Sequence, residues 1–257
     1  MTSDCQDGAE KKPLRCVWLG RVGYQTVFDL QESLRRRILD GDDGDDGCDG
    51  CERLLLLEHQ PVITLGRRAS ALHLIVPAEE LGRRGIEQCS TNRGGGITYH
   101  GPGQLVIYPV VRIARGVAAF LDAVGGAIVG ELGERGIAAE WKREPAGIWV
   151  GEEKIGACGI HVSHEVAIHG FALNVTDEPL ENFRCIVPCG LHGARVTSIA
   201  RELSGGASRC RSRAPSFSVV APSPEELART LGLRICQALG RKPVWSCEQM
   251  LARYDGE

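Results

Sequence analysis

Three separated segments carry residue types that can do chemistry together. Cys189 stands in Ile186-Val187-Pro188-Cys189-Gly190 and Lys154 in Gly151-Glu152-Glu153-Lys154-Ile155-Gly156-Ala157-Cys158-Gly159. Upstream of both lies Arg93-Gly94-Gly95-Gly96-Ile97-Thr98-Tyr99-His100-Gly101-Pro102-Gly103-Gln104. A thiol at its reference pKa of about 8.5 is only a few per cent thiolate at neutral pH, and the thiolate is the nucleophile. A lysine beside it supplies the activation, either as a desolvated amine that takes the proton or as a cation that stabilises the thiolate; the residues alone leave both open. Residues 93–96 can bring backbone N–H groups close to a carbonyl or phosphate, because glycine has no side chain to hold a ligand off. Thr98, Tyr99 and His100 add hydroxyls and an imidazole. Taken singly, each feature has a plainer explanation: a glycine turn feeding a strand, a buried structural thiol, a solvated hairpin lysine. In combination they point to acyl transfer through a thioester.

The elements that must position these groups show as periodicity. Residues 14–20 read as a strand and 24–40 as a helix, with Val27, Leu30, Leu34 and Ile38 at three-to-four-residue spacing. Strands are expected at 54–58 and 62–66, broken by Gln60-Pro61, and at 96–100 and 104–110 around Gly101-Pro102-Gly103. A second helix spans 117–134 and a last one 224–239. Between them a meander runs through 147–150, 154–162 and 166–175. A turn at Ser163-His164 pairs Lys154 with Asn174. Alternation then sets Lys154, Gly156 and Cys158 on one face with Asn174, Ala172 and Gly170, small enough to leave room for a linear acyl chain. One residue of register slip inverts that face. The chain from Thr176 to Cys189 is long enough to wander out and return to Lys154, at up to ~3.3 Å per residue.

With 257 residues, 43% of them hydrophobic, the chain can bury one sizeable core. A single domain is expected over 14–257 after a disordered tail at 1–13, with flexible insertions near 40–51 (acidic, glycine-rich) and 204–223 (Ser, Gly, Arg, Pro). A net charge of −3 with mixed signs argues against nucleic acid as a partner. No apolar run approaches the roughly 18 residues that span a bilayer, so no membrane is expected either. The first residues have neither secretory nor transit-peptide character, so the sequence as given reads as cytoplasmic; a mitochondrial or plastid address would need a transit peptide. Eleven cysteines, an odd number at irregular spacings, fit reduced thiols. Cys48-Asp49-Gly50-Cys51 is a lone pair, and His161 and His164 point to opposite faces, so no metal is expected. His169 reads equally as a pocket residue or a satisfied sheet histidine.

In this order the three segments resemble the octanoyltransferases that begin protein lipoylation, over residues 14–199. The resemblance implies an α+β single domain, a mixed and mostly antiparallel sheet flanked by helices, similar to the biotin and lipoate protein ligases. It implies Cys189 as acyl acceptor and Lys154 as its activator. The implied substrate site comprises Arg93, Gly94, Gly95, Gly96, Ile97, Thr98, Tyr99 and His100, with Ala157, Cys158 and Gly159 on one strand and Gly170, Phe171 and Ala172 on the next. The reaction implied takes octanoyl from octanoyl-acyl carrier protein to a lysine of apo lipoyl domains, those of 2-oxoacid dehydrogenase complexes and the glycine cleavage H protein, without a cofactor. Two rivals stand beside it. An ATP-dependent lipoate or biotin ligase shares the glycine segment but has no use for a nucleophilic Cys189, and its histidine is followed by Asp rather than Gly101. A non-catalytic binder of lipoyl or acyl-carrier domains would lack Cys189 or Lys154.

Overall fold

Leu54, Leu55, Leu56 and Leu57 are all fully buried, which requires a strand covered on both faces. The structure, a computed structural model, describes residues 12–41, 51–113, 115–187, 195–209 and 220–246. Cys189, the expected acidic loop at 42–50 and residues 210–219 lie outside the described residues.

From the N-terminus, strand β1 (Pro13–Val22) leads through helix α1 (Tyr24–Asp40) to β2 (Arg53–His59) and β3 (Val62–Leu65). Helix α2 (Ala78–Arg83) and β4 (Glu87–Ser90) precede β5 (Ile97–His100) and β6 (Gln104–Arg112). Helix α3 (Val117–Glu134) is followed by β7 (Glu140–Arg143), β8 (Ala146–Val150), β9 (Glu153–Ser163) and β10 (Val166–Asn174). The short α4 (Glu178–Asn182) then opens the connection to β11 (Arg195–Val196), α5 (Ile199–Arg209), α6 (Pro224–Ala238) and β12 (Lys242–Trp245).

Among the described residues the main sheet runs β12-β1-β2-β6-β10-β9-β8-β7, with β11 pairing off β9. β1 is parallel to β2 and β12, and β11 to β9; the pairs from β2 through β7 are antiparallel. This is the expected mixed, mostly antiparallel α+β architecture. β3 joins β4 and β5 in a second, three-stranded sheet. Strand alternation sorts the two cores. Leu54, Leu56, Leu105 and Ile107 pack beneath α3 and α6, while Leu55, Leu57, Val106 and Tyr108 pack beneath α1.

The helices at 24–40 and 117–134 have the bounds their apolar spacing predicts. α6 is entered through a reciprocal cap, Ser223 Oγ accepting from the Glu226 N–H while the Glu226 carboxylate accepts from the Ser223 N–H. One expectation needs correction. Residues 204–209 are the end of α5 rather than the start of a loop, because Ile199, fully buried, anchors the first turn of that helix in the α3/α6 core.

Candidate active site

β9 does not follow the expected register. It pairs Gly156 with Leu173, Ala157 with Ala172, Cys158 with Phe171 and Gly159 with Gly170, one residue away from the predicted alignment. On its other edge Trp149 faces Lys154 while Ile148 faces Gly156, so Ile155 is an extra residue and the strand is bulged there. The two departures compensate for Lys154. Ile155 drops into the α3/α6 core, Cys158 and Ile160 pack against that same core, and Lys154 opens into a cavity with Ala157 and Asn174. Gly156 and Ala157 therefore border the lysine's cavity, and the small face continues from Ala157 to Gly159, Ala172 and Gly170 along the adjoining one, while the Cys158 side chain packs in the core.

Lys154 is 6% exposed. Its Nζ lies 5.1 Å from the centre of the Trp149 ring, whose face attracts an ammonium. The neighbouring strand leaves it space: a Cβ on Gly147 would overlap Lys154 Cε and stand 2.7 Å from Gly156 O and 3.1 Å from Lys154 Nζ. Across the other edge Val196 pairs with Lys154, and the Thr197 N–H donates to Lys154 O at 3.0 Å. Phe183 borders the same cavity, and the Val187 N–H donates to His73 O at 2.7 Å. The chain that enters and leaves 188–194 thus passes the lysine at Phe183 and at Val196, with Val187 held against His73. A buried amide chain braces this end. His100 Nδ1–H donates to Gln104 Oε1 (2.7 Å), Gln104 Nε2–H to Asn174 Oδ1 (2.9 Å), and Asn174 Nδ2–H to Thr197 O (3.0 Å).

The glycine segment is packed for close backbone approach. The Gly94 N–H donates to Ile160 O at 2.9 Å, and a Cβ on Gly159 would stand 2.7 Å from Gly94 O. Arg93 turns its guanidinium inward, donating to Thr64 O at 2.6 Å, to Thr64 Oγ1 at 2.8 Å and to Gly94 O at 3.0 Å. These donors hold the loop against β3. Of the backbone N–H groups that this segment could bring to a ligand, that of Gly94 is used on β9.

A second cavity, sharing Thr98 and Ala157 with the first, continues along the α1 side of β9 and β10. Of the residues expected to bind substrate, Arg93, Gly95, Thr98 and His100 border it, as do Ala157, Cys158, Gly159, Gly170, Phe171 and Ala172. The side chains of Cys158 and Phe171, however, pack in the α3/α6 core, Phe171 against Trp141 at 5.4 Å. Ile97 and Tyr99 point into the core of the small sheet, where Tyr99 OH accepts from Asn182 Nδ2 at 2.9 Å. Gly96 O accepts from the Gly66 N–H. Tyr108 and His169 line the cavity. Gly147 and Trp149 also shape the site and were missed, since their roles depend on which strand lies beside which; Asn174, expected beside Lys154, borders its cavity.

Burial keeps the rings nearby neutral. It pushes His59 down to about 4; it pushes His169, helped by the Arg93 charge, to about 3; and His100 lies well below its ordinary value through burial and then His59. An unfolded chain protonates these rings near 6.5. Their contribution is therefore whole above that pH, and stability falls as pH drops from 6.5 toward about 4 and about 3, because the unfolded state then binds more protons. For His59 alone the loss is on the order of 3 kcal/mol. The urea midpoint at pH 5 is expected to lie below that at pH 7.5; equal midpoints would mean that the rings reach solvent in the folded state.

Residues 23–211 match the lipoyl protein ligase A/B catalytic domain. An octanoyltransferase of Solibacter usitatus is 45% identical over 185 residues, 71% of this chain and 80% of that protein. One of Dictyoglomus turgidum is 46% identical over 192 residues, 75% of this chain and 79% of the other. Among solved structures, lipoate-protein ligase A bound with ATP superposes with a TM-score of 0.63 at 16% identity, covering 95% of both chains. The bipartite lipoate protein ligase of Thermoplasma acidophilum gives 0.58 at 20%, covering 96% of this chain and 93% of that one. The two structures share the fold, and the sequence matches carry the kinship: the chain belongs to the lipoyl protein ligase A/B catalytic domain family and, within it, to the octanoyltransferases.

Proposed function

We propose that the protein is an acyltransferase that moves octanoyl from octanoyl-acyl carrier protein to a lysine of apo lipoyl domains, with Cys189 carrying the acyl group in between. The observation that carries the residue assignment is the placement of Lys154. It is buried and re-aimed by a bulge into a cavity it shares with Gly156, Ala157, Asn174 and Phe183, beside the strand that follows Cys189 in the chain. The thiolate of Cys189 attacks the carrier thioester, the C–S bond to the carrier breaks, and the departing thiolate takes a proton. The amine of the acceptor lysine then attacks the enzyme thioester, an amide forms, the proton leaves the nitrogen and the Cys189 thiolate returns. Lys154 moves or balances those protons. The acyl chain lies along Ala157 and Ala172 toward Gly159 and Gly170. Acceptors would be lipoyl domains of 2-oxoacid dehydrogenase complexes and the glycine cleavage H protein.

The described cysteines are all unbridged. No helix among the described residues is long and apolar enough to cross a membrane. A ligase would instead activate a free acid with ATP. Incubation with octanoyl carrier protein, without ATP or magnesium, is expected to add one octanoyl group to the intact mass. A strict requirement for ATP would overturn the transfer reading in favour of the ligase.

A further inference from the structure

Lys154, Trp149 and Glu140 stand in one cross-strand row. Trp149 of β8 pairs with Lys154 on one side and with Glu140 of β7 on the other, and side chains so paired share a face of the sheet. Ile148 and Ile155 turn into the α3/α6 core, which leaves the row on the opposite face. Trp149 is itself buried, and its indole N–H donates to Pro145 O at 3.2 Å, so the ring is held by its polar edge. Two ammonium groups meet that ring: Lys154 Nζ lies 5.1 Å from its centre and Lys142 Nζ 5.5 Å.

The two lysines are not equivalent. Lys142 stands on an edge strand with its side chain 36% exposed, and the Glu140 carboxylate matches its charge. Lys154 is buried, and the rest of the described wall of its cavity carries no ionisable side chain. The ionisable groups on the surrounding elements are engaged with other residues. Glu153 of its own strand pairs with Arg195 of β11 at 3.2 Å, Glu202 of α5 accepts from Thr197 Oγ1 at 2.7 Å, and the Cys185 thiol takes a donor from Arg84 at 3.6 Å. His100 of β5 is kept neutral by burial. The face of an indole is the negative part of its quadrupole, so it attracts an ammonium and repels the lone pair of a neutral amine. A tryptophan turned to the lysine therefore discriminates between the two roles that the residues alone leave open.

We propose that Trp149 is a positioning residue that holds Lys154 as an ammonium, so that the lysine serves Cys189 as a cation stabilising its thiolate rather than as a neutral base. The identity of the thiol rests on the octanoyl-transfer reading. On ionising, the thiol gives its proton to solvent and the lysine keeps its own. Gly147 completes the arrangement, since without a Cβ it leaves room for Lys154 Cε against β8.

The test replaces Trp149 alone by tryptophans carrying one, two and three ring fluorines, which keep the shape and the N–H of the indole while draining its negative face. Without any octanoyl donor, each protein is labelled with iodoacetamide from about pH 5.5 to 9.5, and the Cys189 peptide is read by mass spectrometry. The midpoint of that profile is expected to climb stepwise with fluorination, because a thiolate that loses a neighbouring cation is protonated up to higher pH. In Trp149→Leu it should lie about one pH unit above the wild type, the worth of a desolvated cation–π contact, so that labelling below the midpoint slows about tenfold. Trp149→Phe should recover part of the shift, and Lys154→Met should climb at least as far as Trp149→Leu. The partly exposed Cys89 is the internal reference and keeps its profile throughout. A Cys189 midpoint that stays in place or falls across the fluorinated series overturns the proposal, as does a climb that Cys89 shares or a wild-type midpoint equal to that of Lys154→Met. Octanoyl transfer is measured separately on the wild type: its absence beside the expected series overturns the transfer reading and leaves the pairing of Trp149 with Lys154 standing.

Discussion

Cys189→Ser is expected to lose the octanoyl thioester adduct and to lower transfer by roughly a thousandfold or more, the scale on which removing a nucleophile acts. The serine hydroxyl is isosteric but is not ionised near neutral pH, so the lysine that activates a thiol cannot make an alkoxide of it. Cys89→Ser is the matched control, a partly exposed thiol on the edge strand β4 away from both cavities. It should acquire the octanoyl mass at the wild-type rate. An adduct that persists at full rate in Cys189→Ser would move the nucleophile elsewhere and leave Lys154 without its expected partner.

What the sequence discloses here depends on how local the responsible physics is. α1 and α3 were legible to the residue because their apolar spacing runs over many turns, and α1 stops at Gly41 in a left-handed conformation that favours glycine. β4, β7, β11 and β12 carry little of the buried apolar sequence that disclosed the equally short β3 and β5, and each exists because a neighbouring strand offers it an edge. The Lys154 face was legible in outcome and wrong in detail. Simple alternation has no place for an unpaired residue, and the extra residue at Ile155 offset a one-residue error in the β9–β10 register. A trace of that bulge is present in the sequence. Ile155 is apolar at an odd position, whereas Ile160 and Val162 are apolar at even ones, so the buried pattern changes phase within one strand.

The glycine segment teaches the opposite lesson. Its composition suggested approach to a ligand, yet Gly94 and Gly159 are small because the loop and β9 touch each other. Only the fold says which backbone a glycine admits. The same holds for His169, whose sequence context left two readings equal until its left-handed backbone placed the ring on the cavity side.

Gly147 gives the sharpest test of whether the bulge serves catalysis. It is buried in β8 opposite Ala157, and any side chain there competes with the Lys154 Cε and the Gly156 carbonyl for the same space. The carbonyl belongs to a strand paired on both edges, so the lysine yields, and the β8 backbone, at a φ of 156° that side chains rarely adopt, must shift to clear the carbonyl. Gly147→Val is therefore expected to displace the ammonium by an ångström or more and to lower kcat by about a hundredfold, the usual consequence of such misplacement. KM for the carrier thioester should change far less, since the alanine and glycine face that receives the chain lies beyond the lysine. Overpacking also costs roughly 1–3 kcal/mol of stability, so the thermal midpoint must be measured alongside and assays run well below it. Gly133→Ala, at a helical position with nothing within 4 Å of the added carbon, is the neutral comparison. A folded Gly147→Val enzyme with near-normal kcat would mean that the position of Lys154 does not limit the chemistry, and that the bulge at Ile155 has another purpose.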